Sequence, residues 1–425
     1  MGDMTWGLLG RESVGSERRT RTLGLGAAVR NFNEMAVPGM GGVWFARQLY
    51  LASLGVAVNE LARSRGARTS NIEVSNALEA MGCWHAFRKT DRQDARLRGR
   101  EKLPREDVAL DFATFSRPSF YVTQPMRMQT VQAVRALGLV QSTGERFNSY
   151  QMTAAGHEFL ACAFRTFTSP HNRQHLVALA DWVCGDDRMK TEAIHQLLSP
   201  AEPLPQAACE QLRDLLVRGG SEAALRRRNL LAWCDDLRQG ALGPADRPPQ
   251  LGETHWHEVQ AGRLFFALQD AAFAVLNAVE AMVARSEQRS VALADLHQAP
   301  VHLAIKALRE AAAAYQAHGY QDLLVTGASR FALECAETSD ARVIAHLVAR
   351  DGRVLRLSDG KVVPGVAFLE TAEIAAGVDD EQPAADEADV PLGLSHRINN
   401  FYLLNLDLNG LLATKLEREM EERHE

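Results

Sequence analysis

A chain of 425 residues, 46% of them hydrophobic, can bury several cores, and such a length favours about two to four domains. No run approaches the roughly 20 uninterrupted apolar residues of a membrane span. The start, MGDMTWGLLGRESVGSERR, sets its short apolar patch before its charges, so neither anchor nor export leader is expected and the chain reads as cytoplasmic. The net charge of −6 hides an asymmetry: residues 1–165 hold 22 Lys and Arg against 15 Asp and Glu, and the remainder holds 25 against 38. Six cysteines, Cys83, Cys162, Cys184, Cys209, Cys234 and Cys335, form no C-x-x-C pair, which argues for free buried thiols rather than a zinc cluster or disulfide framework.

Residues 1–32, rich in Gly, Arg and Ser, read as an irregular basic arm. Residues 33–65 read as helix, with Trp44, Phe45, Leu49, Leu51, Leu54, Val58 and Leu61 on its apolar face and Gly66 as its stop. V-P-G-M-G-G at 37–42 lacks the Lys-Ser/Thr pair of a phosphate loop and reads as a turn. A second helix starts at Ser70, where Ser70 and Glu73 have capping-box spacing, and runs through Ile72, Val74, Ala77, Leu78 and Met81 to Gly82. Trp84, His85 and Phe87 then read as core packing. Residues 88–105 concentrate eight cations in eighteen residues, opposed by Asp91, Asp94 and Glu101. Such a loop either attracts phosphate whatever the nucleic-acid sequence or is only a solvated face.

Residues 120–164 carry the most ordered set of signals. A helix opens at Thr123 with Pro125 near its first turn, carries Val131, Val134 and Leu137 inward and stops at Gly138. Leu139 and Val140 start a strand, Ser142 to Asn148 turn around Gly144, Tyr150 and Met152 alternate back, and Thr153 caps a second helix. The run GLV, a polar hairpin and then Y-x-M-T-x-x-G-x-x-F-L resembles the end of a MarR-type winged helix. That resemblance covers about a tenth of the chain and implies a module that lays one helix in the major groove. Under it, Arg127, Gln129, Gln132 and Arg135 face DNA from the helix, Arg146 and Asn148 from the wing, and Arg96, Arg98 and Arg100 from the basic loop. Met128 and Ala136 share the outward face, with Met126 beside them. These can make only apolar contacts, which leaves protein docking as an alternative use of the same surface.

Residues 166–240 read as successive helices at 176–182, 189–198, 205–218 and 221–238. The segment 241–252, with three prolines, is the best internal linker. Long helices follow at 256–285 and 301–318. Asp351-Gly352 and Asp359-Gly360 read as two hairpin turns of a small β-meander at 342–364, closing a unit of residues 253–369. Residues 370–394 form an acidic linker expected to be disordered, since 370–390 hold eight acids and no base. Residues 395–425 return to helical periodicity. Phe401, Leu404, Leu408 and Leu411 are the candidate partner-binding face of a tethered helix, which docks either on its own bundle or on a partner.

The expected fold is therefore mainly α: a winged helix-turn-helix within residues 33–165, a helical bundle body, a small meander and a tethered C-terminal helix. His255-x-His257 starts a helix, where i and i+2 diverge, so no metal site is expected. No Walker, G-x-S-x-G or H-E-x-x-H motif occurs, and neither cofactor nor catalysis is expected. The favoured function is a non-catalytic DNA-binding or scaffold component. In layout it resembles accessory proteins of bacterial DNA-processing or antiviral (phage-defence) systems. The expected partners are DNA, a protein held by the C-terminal helix or the Met126/Met128 face, and a possible second copy, with no membrane. The alternatives are a winged-helix transcriptional regulator and a structural subunit that uses the winged helix for protein contact, like the kleisin partners of chromosome-organising complexes.

Overall fold

The computed structural model describes residue 21 and residues 23–89, 94–144, 146–165, 174–185, 196–238, 247–368 and 394–422. It is mainly helical, as expected. The chain divides into two units: Phe32–Gly262 with Asp380–Glu425, and Met1–Asn31 with Arg263–Asp379.

The larger unit is organised on a central helix, α2 (Ala46–Ser64), preceded in the chain by α1 (Gly26–Ala36). The single helix expected over 33–65 is thus two, and the basic arm ends in helix. The break is the V-P-G-M-G-G segment, after which the Gln48 side chain turns back to accept the N–H groups of Trp44 (2.8 Å) and Phe45 (3.3 Å) at the start of α2. Residues 46–59 of α2 are all buried, the polar Arg47, Gln48, Ser53 and Asn59 included. Arg47 is accommodated because its guanidinium donates to the carbonyls of Gln196, Leu197 and Glu202 at 2.8–3.0 Å.

α3 (Asn71–Lys89) crosses α2 where Gly55 meets Ser75; a Cβ on Gly55 would stand 2.0 Å from the Ser75 hydroxyl. The capping box forms: Glu73 accepts from Ser70 N at 2.8 Å and Ser70 Oγ accepts from Glu73 N at 3.3 Å. Gly82 does not end the helix. It lies at a close approach to Leu198, whose carbonyl oxygen would be 2.1 Å from an added Cβ, and α3 continues through Trp84, His85 and Phe87, all buried core. The short α4 (Phe112–Phe115) is capped by Asp111.

The segment 120–164 forms helix, short hairpin and helix. α5 (Arg127–Ala136) starts later than Thr123, β1 (Val140–Gln141) pairs antiparallel with β2 (Gln151–Met152), and α6 (Ala154–Phe164) begins after Thr153, whose hydroxyl accepts from Gly156 N at 3.0 Å. Gly138, at φ +68°, ends α5 as expected. α7 (His175–Val183) packs on α2, and α8 (Gln206–Val217) packs on α6 and on α9 (Glu222–Arg238). The tail forms α14 (His396–Leu408) and α15 (Leu412–Glu422), broken at Gly410. α14 docks on α9, α8 and α2 of its own unit. Between them, α10 (Glu253–Arg285) carries the chain from this unit into the other.

α10 is long and apolar enough, by length and composition, to cross a membrane. Its residues Val259, Phe265, Leu268, Ala272, Val275, Leu276, Val279 and Val283 recur at helical spacing and are buried along one face. The smaller unit adds β3 (Val291–Ala292), α11 (Ala299–Ala317), α12 (Ala328–Cys335), α13 (Asp340–Asp351), β4 (Leu355–Ser358) and β5 (Lys361–Pro364). The antiparallel sheet has the order β3-β5-β4. The three-strand meander expected over 342–364 is corrected: its first third is α13, and the third strand comes from residues 291–292. Asp351-Gly352 ends that helix, with the Asp351 carboxylate accepting from Val354 N (3.3 Å) and Leu355 N (3.1 Å). Asp359-Gly360, both at positive φ, is the hairpin turn expected. The acidic 370–390 segment, residues 189–195 and the first half of the proline-rich linker lie outside the described residues.

Candidate nucleic-acid interface

α5 is held at both ends and along one flank. At its start, the buried Glu79 carboxylate accepts from Met126 N (2.7 Å), Arg127 N (3.3 Å) and the Tyr121 hydroxyl (2.8 Å). A carboxyl group of the protein thus already occupies the positive end of the helix. Burial pushes the Glu79 carboxyl above the usual carboxylate range, against the pull of these three hydrogen bonds. Cys83 lies 3.4 Å from the Tyr121 hydroxyl, and burial lifts its thiol to about 12, leaving it inert as a nucleophile.

The flank is closed by the V-P-G-M-G-G segment. Gly42 N donates to the Gln129 carbonyl at 3.0 Å, and Gln48 donates through Nε2 to Gln129 Oε1 at 2.5 Å. A Cβ on Gly41 would lie 2.6 Å from that same carbonyl, and one on Gly39 would lie 2.5 Å from Ala136 Cβ; both glycines are at positive φ, +57° and +73°. These glycines, read from sequence as a plain turn, let the chain run against α5.

The hairpin is pinned to the start of α3. Asn71 Nδ2 donates to the carbonyls of Phe147 and Tyr150, both at 2.9 Å, and Asn148 Oδ1 accepts from Ile72 N at 2.9 Å. The Tyr150 hydroxyl donates to the Val131 carbonyl at 3.0 Å, tying hairpin to α5.

These contacts redistribute the sequence-derived residues. The inward face of α5 is Thr130, Ala133, Val134 and Leu137, with Val131 only half-buried, because the helix is rotated towards the glycine segment. Gln129 is therefore turned inward and already paired. Arg127 donates from Nε to Asn76 Oδ1 at 2.6 Å and stacks on Phe147 at 5.7 Å, and burial lowers its pKa against the pull of Glu79. Asn148 is exposed but its side-chain oxygen is engaged. In the basic loop, Arg96 is 9% exposed and forms a two-point pair with Asp94 (2.7 and 3.0 Å), and Arg98 is 7% exposed. Only Arg100 of that trio is exposed. Gln132, Arg135 and Arg146 remain exposed. So do Met128, at 52%, and Ala136, whereas Met126 is buried core.

The proposed partner face on the tail is likewise spent. Phe401, Leu404 and Leu408 are buried in the unit's own core, and only Leu411, at 41%, is exposed. Self-docking took these side chains because α8, α9 and α2 offer them an apolar bed. Sequence reasoning missed Glu79, whose only signal was an acid between Leu78 and Ala80 on an apolar stretch. His255 is 5% exposed with Nε2 3.1 Å from the Ala36 carbonyl, and no cluster of His, Cys, Asp or Glu suited to a metal occurs among the described residues. Compared with known proteins, the chain matches no family model, no curated protein and no solved structure.

Proposed function

We propose that the chain is a non-catalytic DNA-binding scaffold component of a multi-protein DNA-processing system, in which the α5–hairpin module acts as a winged helix. What supports this reading is one arrangement: Gln132 and Arg135 project from the open face of a helix whose ends and flank are fixed, and Arg146 projects from the adjoining hairpin. The main chain of this face is pre-organised, so contact with phosphate or a base edge orders the side chains but not the helix or the hairpin. Arg146 serves phosphate, while Gln132 and Arg135 supply donors for either phosphate or bases. Occupation of the α5 N-terminus by Glu79 removes that end as a phosphate site, which confines contact to the C-terminal half of the helix and the hairpin.

The test is the salt dependence of binding to a fluorescent duplex. Binding at 50 mM salt should weaken steeply towards 200 mM, and Arg146→Ala should lower the log–log slope by about 0.9. No binding at low salt removes the DNA reading. One observation favours a second reading: Met128, a large apolar residue on the first turn of the same face, is exposed. A protein-docking subunit would use it as an anchor, and Met128→Glu would then abolish association while Arg146→Ala would not.

A further inference from the structure

The turn from α2 into α3 carries three arginines, Arg63, Arg65 and Arg68, and no acid stands between Glu60 and Glu73. Arg65 pairs with Asp181 of α7. Arg63 and Arg68 are exposed, and neither makes an ion pair or a side-chain hydrogen bond among the described residues. The flanking acids are committed to the main chain: Glu60 accepts from Met152 N at 2.8 Å, and Glu73 accepts from Ser70 N at 2.8 Å. Hydrogen bonds also seat this turn against the hairpin. Asn59 donates from Nδ2 to Asn71 Oδ1 (2.7 Å) and accepts at Oδ1 from Thr69 Oγ1 (2.8 Å), which folds the turn back on the end of α2. Asn71 then donates to the Phe147 and Tyr150 carbonyls, and Ile72 N donates to Asn148 Oδ1. Arg68 directly precedes the bonded part of the turn, and Arg146 directly precedes the bonded part of the hairpin. Arg63 follows Asn59 at i+4 and Glu60 at i+3, so it continues the helix face that reaches the turn and β2. Three guanidinium groups without ion pairs among the described residues, those of Arg63, Arg68 and Arg146, are thus carried on one hydrogen-bonded piece of main chain.

We infer that the α2–α3 turn is a second phosphate-contacting surface, onto which a DNA duplex held by α5 and the hairpin continues. This footprint rests on the DNA reading of α5 and extends it to residues that the winged-helix resemblance leaves unassigned. The kind of partner follows from the composition of the turn. From Arg63 to Ser70 every residue other than arginine is Ser, Gly, Ala or Thr, so no large apolar side chain is present to anchor in a protein pocket or to enter a bilayer. A phosphate backbone needs no such anchor. It is held by positive charge and the release of its counterions, whatever the bases, and Arg63, Arg68 and Arg146 supply that charge on a fixed main chain.

The experiment measures binding of the full chain to fluorescent duplexes of unrelated sequence between about 50 and 200 mM salt, for Arg63→Ala, Arg68→Ala and the double variant. Each single change should lower the log–log slope by about 0.9 and the pair by about 1.8, alike for every duplex. Arg68→Lys keeps the charge and should keep the slope. Arg418→Ala is the control: it removes an exposed arginine of α15, which follows the helix whose Asp407 accepts from Ala46 N at 2.7 Å. Ala46 begins α2, about 27 Å of helix away from Ser64 at its other end, so this change should leave the slope as it is. All three arginines are exposed, so melting temperatures should stay level and confirm that each variant folds. A slope unchanged in the double variant while Arg146→Ala lowers it would overturn this footprint and leave the α5 reading standing. An equal fall with Arg418→Ala would reduce the effect to net charge and overturn it as well. So would binding to phosphatidylcholine–phosphatidylglycerol vesicles, in place of DNA, that the double variant abolishes. Absence of duplex binding at low salt removes both readings.

Discussion

The Glu79 carboxylate on α3 accepts the main-chain N–H of Met126 at 2.7 Å, fixing where α5 begins. Glu79→Ala should strand that N–H and the Tyr121 hydroxyl in a buried site, costing about 1–3 kcal/mol for each unsatisfied group. Urea unfolding measures it. The pH dependence has a definite sign. Burial raises the folded pKa, so the contribution of this group is complete below its unfolded pKa and is lost as the pH rises through the folded one. Glu79→Gln does not titrate, and the stability of the natural protein relative to it should fall across that window. A constant difference would show the carboxyl to be unperturbed.

His255 gives the opposite sign. Burial lowers its folded pKa, opposed by the hydrogen bond to the Ala36 carbonyl. Its neutral form therefore contributes stability that is complete above the unfolded pKa, about 6.5, and is lost as the pH falls through the folded value. His255→Gln should flatten the acid side of the stability profile below about pH 6.5. An unchanged profile would assign the acid loss to other groups.

The tail is core, and its removal should behave so. Phe401 is 1% exposed in the core of the larger unit, and Phe401→Ala should cost about 3–5 kcal/mol by denaturant unfolding. Leu411→Ala, on an exposed residue, should change stability by under about 0.5 kcal/mol. Equal effects would contradict the docked position of α14.

Local signals were legible and tertiary ones were not. The Ser70–Glu73 box, the Gly138 stop, the Thr153 cap and the Asp359-Gly360 turn all involve partners a few residues apart, so spacing alone specifies them. Gly82 and Asp351-Gly352 misled because one symbol serves two purposes. Gly82 makes room for the Leu198 carbonyl rather than ending α3, and Asp351-Gly352 closes a helix where a hairpin would use the same pair. The α5 face was misjudged for a similar reason. Periodicity defines an inward stripe, but the partners of Gln129 and Arg127 come from Gly42, Gln48 and Asn76, more than fifty residues away in sequence.

Gly82→Ala tests the first of these directly. An added Cβ would stand 2.1 Å from the Leu198 carbonyl oxygen, a main-chain atom that cannot rotate aside. Overpacking should cost about 1–3 kcal/mol or more, although alanine favours helix by about 1 kcal/mol over glycine. A stabilised variant would show that α3 and residue 198 do not meet.

The open face of α5 should divide cleanly by substitution. Gln132→Ala and Arg135→Ala remove exposed side chains and should leave unfolding within about 0.5 kcal/mol of the natural protein. Gln129→Ala and Arg127→Ala should not, because each breaks a hydrogen bond within the fold, worth about 0.5–1.5 kcal/mol for a neutral pair and about 1.5–3 for a charged donor. If α5 reads bases, loss of Arg135 should cost about 1–3 kcal/mol of discrimination between duplexes, whereas Arg146→Ala should weaken all duplexes alike. If the face docks on protein, Met128→Glu should abolish that association and leave the unfolding midpoint unchanged, since Met128 is 52% exposed. Duplex affinity, partner affinity and unfolding midpoints for these variants separate the uses. A set in which neither affinity responds would place the working surface elsewhere on the protein.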